Sequence, residues 1–67
     1  MISFTATYEP ENDEKIVIYQ SLDVTPKVID NELLFNLQRF AASLISLQNN
    51  IDIRYYNVKI IDIRVIR

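Results

Sequence analysis

Glu9, Glu11 and Asp13 stand at alternate positions, the spacing that opens a calcium-binding loop. The rest of that pattern is missing. Glu14 stands where the sharp turn needs Gly, and Gln20 where a bidentate Glu would close the shell. Glu9-Pro10-Glu11-Asn12-Asp13-Glu14 therefore reads as a solvated acidic turn, and no metal or other cofactor is expected. Asp52 and Asp62 suggest a second carboxylate pair. Each is followed two residues later by an Arg, Arg54 and Arg64, so ion pairs across a solvent-facing sheet account for them better than acid–base catalysis does.

The residue types behind most enzyme chemistry are absent. The chain of 67 residues has no Gly, His or Cys. Without Gly there is no phosphate-cradling loop and no dinucleotide fingerprint. Without His or Cys the usual serine and cysteine triads and zinc sites are excluded. Catalysis would have to run on carboxylates, Lys and Tyr alone, so the expectation is a protein that is not an enzyme.

Recognition chemistry remains. Residues 1–32 hold seven acids and two bases, whereas residues 33–67 hold five bases and two acids. Arg54, Lys59, Arg64 and Arg67 lie close in sequence to Tyr55 and Tyr56, and bases interleaved with aromatics on a sheet can hold single-stranded nucleic acid. Against this, the net charge is −2 and the pI about 4.8, where nucleic-acid domains show a basic footprint. Solvation of a sheet face is the stronger account of these side chains, and nucleic acid ranks second. Four acids in one turn are too few to imitate a duplex. Phe35 and Ala42 fall on the far side of a helix, where Phe35 either packs under a loop or awaits a partner. The candidate interaction residues are therefore Phe35, Arg54, Tyr56, Lys59 and Arg64.

The elements that must position them follow from periodicity. Residues 30–48 predict a helix, because Leu33, Leu37, Phe40, Leu44 and Leu47 recur at spacings of four and three. Leu34, Ala41 and Ile45 widen that stripe, while Glu32, Arg39, Ser43 and Ser46 fall opposite. Asp30 is the expected N-cap, and Asn49-Asn50, in a chain without Gly, the expected stop. Residues 2–8 alternate apolar and polar, and residues 15–22 are rich in β-branched and aromatic side chains, so both predict strands of one hairpin. Thr25-Pro26 suits a short capped turn.

Ile51-Asp52-Ile53-Arg54 returns ten residues later as Ile61-Asp62-Ile63-Arg64. Between the copies the apolar phase switches to Tyr56, Val58 and Ile60, which one regular strand cannot accommodate. Strand segments over 51–56 and 58–66, joined by a turn or bulge at Asn57, are expected. The fold class is thus α+β: a single ββαβ(β) domain over residues 1–67. Its three- or four-stranded, mainly antiparallel sheet carries one helix on one face. A crossover from the second strand over the first would set the third strand beside the first and antiparallel to it.

A domain this small buries only about 60% of its unfolded surface, and neither disulfide nor zinc is available to it. Self-association or a larger partner is the remaining support, and the Ile- and Val-rich C-terminal strands would offer an apolar edge. The expected function is a non-catalytic interaction module, acting as a homodimer or on a host protein, with a nucleic-acid-binding regulator as the alternative. Ile and Asn use AT-rich codons, which points to a virus or mobile element. Met1-Ile2-Ser3-Phe4 carries no basic n-region and no apolar run reaches spanning length. With no cysteine, a cytoplasmic location, away from membranes, is expected.

Overall fold

The computed structural model describes residues 1–66, so Arg67 lies outside the described residues. The chain folds in the order β1 (Ile2–Tyr8), β2 (Ile16–Leu22), α1 (Asn31–Asn49), a 3-10 turn (Tyr55–Asn57) and β3 (Val58–Val65). The three strands form one sheet in the order β2-β1-β3, both flanking strands antiparallel to β1. The α+β architecture is the expected one, including the crossover that brings β3 beside β1.

The central strand is buried on both sides for different reasons. Ile2, Phe4 and Ala6 face the helix and are almost fully buried. Opposite them, Ser3 and Thr7 are 2% and 3% exposed, although no second layer covers that face. They are short side chains on the middle strand, hemmed in by the longer residues of β2 and β3. The Ser3 and Ser21 hydroxyls hydrogen-bond at 2.9 Å across β1 and β2.

The caps of α1 fall where the side chains require them. Asp30 Oδ1 accepts the Leu33 N–H at 2.9 Å, satisfying one free donor of the first turn. Asn50 ends the helix in the left-handed region, φ 53° and ψ 46°, and its N–H donates to Ser46 O. No Gly is available for that conformation, and Asn is the side chain that tolerates it best.

The buried face of α1 is shifted toward the Ala41 and Ile45 margin of the expected stripe. Leu37, Ala41, Ala42 and Ile45 are buried, whereas Leu47 is 81% exposed. At about 100° per residue, Leu47 lies about 160° round the helix from Ile45. Leu33 and Phe40 still pack at the margin of the core, and Phe40 meets Phe4 edge-on with centroids 6.4 Å apart. Two alanines on the contact side let the helix backbone sit close to the sheet, and Ala42, expected on the far side, is part of the core.

The segment 51–56 is not a strand, which corrects the expectation. The left-handed turn at Asn50 sends the chain back along α1, so this segment packs on the helix rather than joining the sheet. Ile51 N–H donates to Ser46 O at 3.2 Å, Ser46 Oγ donates to Ile51 O, and Ile53 is buried in the core. The joint at Asn57 is a turn: its Oδ1 accepts the Arg54 N–H and its own N–H donates to Arg54 O, both at 3.0 Å. A separate bulge sits in β3, where Thr5 pairs Asp62 and Ala6 pairs Ile60, leaving Ile61 unpaired. That extra residue moves the apolar phase from Val58 and Ile60 to Ile63 and Val65. Thr25-Pro26 forms no helical turn; the Thr25 hydroxyl instead accepts from the N-terminal ammonium at 3.1 Å. No described helix is long and apolar enough to cross a membrane.

Candidate interaction site

The strap from Ile51 to Asn57 doubles back along α1, and this places the first group of candidate residues. Its start is held at Ser46, near the C-terminal end of the helix. Its far end is fixed where Gln38 Nε2 donates to Val58 O at 2.9 Å. Tyr55 is thereby set edge-on against Phe35, with centroids 4.9 Å apart, and Tyr56 against Tyr55 at 5.5 Å. Phe35 thus packs under a loop and is still 39% exposed; Tyr55 is 42% and Tyr56 68% exposed. The Arg39 guanidinium lies 5.7 Å from the Phe35 ring centroid, a cation–π distance.

An open groove of about 540 Å³ runs between strap and helix. Asn36, Arg39 and Ser43 line it from the helix, Arg54 and Tyr55 from the strap, and Ile53 lies at its base. No carboxylate among the described residues lines it. Neither Arg39 nor Arg54 has an ion pair among the described residues. Arg39 and Tyr55 were not among the five candidates, although Tyr55 stands in the sequence beside the basic side chains. The i, i+4 spacing of Phe35 and Arg39 was the available signal, but a helical Arg opposite the apolar stripe reads first as solvated surface.

Lys59 and Arg64 are elsewhere. They project from β3 on the sheet face away from the helix, opposite Thr7 and Ser3. Arg64 Nε lies 3.5 Å from the Asp62 carboxylate on its own strand, and both are exposed. This ion pair runs along one strand rather than across two. Lys59 borders a small cleft with Thr7, Glu9 and Asn57. The five candidate residues therefore fall into two groups on opposite layers: Phe35, Arg54 and Tyr56 around the strap, Lys59 and Arg64 on the open face.

Both β2 and β3 are edges of the sheet, and they differ. β3 carries a bulge together with Lys59, Asp62 and Arg64, all features that blunt an edge. β2, Ile-Val-Ile-Tyr-Gln-Ser-Leu, has no charge, no Pro and no bulge. None of its residues is fully buried, and Val17 and Tyr19 are 54% and 65% exposed. The exposed apolar edge expected at the C-terminal strand is thus stronger on the second strand. Among the described residues, no three His, Cys, Asp or Glu side chains stand together to hold a metal ion.

No family profile matches the chain, no curated protein does, and no solved structure does.

Proposed function

We propose that this chain is a small non-catalytic interaction module that works as a homodimer, two copies pairing β2 against β2 in antiparallel fashion. The observation that carries this is the outer edge of β2: seven regular, uncharged residues whose outward backbone groups have no strand partner, the Ser21 carbonyl alone accepting from the Gln20 side chain. Such an edge is a template for another strand.

A second copy suits this edge better than a foreign strand. With no charge on β2, nothing selects a complementary partner, and a two-fold axis through Tyr19 matches the strand to itself. The dimer is a six-stranded sheet with both helices on one face. Binding of a host protein to the same edge is the competing outcome. The Ile- and Asn-rich composition supports a virus or mobile element as the source, and the cysteine-free chain supports the cytoplasm, that of the host for a virus, as its place.

The lack of native cysteine makes the test direct. Opposed residues of antiparallel strands have Cα atoms about 4.5–5.5 Å apart, within disulfide range. Tyr19→Cys should give a disulfide-linked dimer under mild oxidation, and Asp62→Cys on the bulged edge should not. Cross-linking of Asp62→Cys alone, or of neither, would overturn the assignment.

A further inference from the structure

We propose that the groove between α1 and the strap binds single-stranded nucleic acid, with phosphates held by Arg39 and Arg54 and bases stacked on the exposed tyrosines. The charge of the groove differs from that of the chain. Seven of the nine acids lie in the first 32 residues, and among the described residues the groove itself is lined by two arginines and no carboxylate. Both guanidinium groups lack an ion-pair partner among the described residues, so each retains its full set of donors for a ligand oxygen.

The aromatic groups decide between anions. An acidic peptide would use the two arginines and leave the rings idle. A single strand uses both, because every base has a π-face and every linkage a charge. Tyr55 lines the groove and Tyr56 packs edge-on against it from outside that lining; they are 42% and 68% exposed, and the contact of Tyr55 with Phe35 fixes the pair before any ligand arrives. From Asn36 to Ser46 the groove follows α1 for about 15 Å at 1.5 Å per residue, the length of about four stacked nucleotides at 3.4 Å each. A duplex does not present its base faces and cannot use the rings.

The experiment is fluorescence anisotropy of a labelled oligo(dT) of about a dozen nucleotides, in salt of about 10 mM, where the Debye length is about 30 Å, and upward. Two phosphate contacts predict that log K falls against log salt with a slope of about −1.4, and that Arg54→Ala brings it to about −0.7. Tyr56→Ala, at a side chain outside the core, should weaken binding about tenfold. Arg64→Ala, on the other layer, should leave affinity and slope unchanged. Circular dichroism checks that each variant is folded, and Tyr56→Ala carries the test if Arg54→Ala is not. Absence of binding at low salt, an equal loss with Arg64→Ala, or displacement by polyglutamate or duplex as readily as by unlabelled oligo(dT) would each overturn the proposal. The groove is on the helix layer and the β2 edge is not part of it, so this result is independent of the oligomeric state.

Discussion

Ile45→Ala and Leu47→Ala should have very different costs, although both residues belong to the apolar pattern of one helix. Ile45 is fully buried and Leu47 is 81% exposed. Truncating Ile45 removes three carbons, about 2.4 kcal/mol at about 0.8 kcal/mol per methylene. The cavity left between helix and sheet raises this to about 3–4 kcal/mol. A domain of 67 residues holds about 3–10 kcal/mol in total, so Ile45→Ala should lose from about a third to all of it and lower the urea midpoint steeply. Leu47→Ala should stay within about 0.5 kcal/mol of the parent. Urea titration followed by helical circular dichroism measures both. The two variants must be compared at one protein concentration, because association adds to apparent stability. Equal losses, or a larger loss for Leu47→Ala, would refute the helix orientation described above and with it the role of Ala41 and Ala42 in bringing the layers together.

Three further substitutions probe the helix ends. Asp30→Ala removes the acceptor for the Leu33 N–H and should cost about 1 kcal/mol, read as a lower urea midpoint with an unchanged slope. Asn50→Ala places a Cβ without a compensating side chain at φ 53° and should cost about 1 kcal/mol, whereas Asn50→Gly should leave the midpoint unchanged or raise it; a drop with Gly equal to that with Ala would show that the left-handed stop is not what the side chain serves.

Local signals were legible in the sequence and register-dependent ones were not. Asp30 and Asn49-Asn50 mark the helix ends because capping is chemistry of neighbouring residues. The alternation of residues 2–8 locates β1 because the strand is central and its helix-facing side is wholly apolar. The orientation of α1 was obscured by Leu44 and Leu47, which fit the spacing as well as Ile45 does. The contact side was decided by Ala41 and Ala42, whose small size is informative only once a sheet lies against them. Ile51, Ile53 and Tyr55 alternate like a strand, but the turn at Asn50 lays them back along the helix, where Ile53 joins the core. The bulge at Ile61 depends on pairing with Thr5 and Ala6, residues far away in the chain. Of the candidate site, Phe35, Arg54 and Tyr56 were visible as exposed aromatic or basic groups, while their convergence with Arg39 and Tyr55 required the strap to turn back on the helix.

On the proposed function, β2 joins two copies of the chain. Sedimentation equilibrium at tens of micromolar measures it most directly, with the parent compared with a variant carrying both Val17→Lys and Tyr19→Lys, charges that block edge pairing. The prediction is a parent mass twice 7.9 kDa, falling to the single-chain mass in the doubly substituted variant with its circular dichroism preserved. A single-chain mass for the parent, or a dimer that survives both lysines, would contradict it.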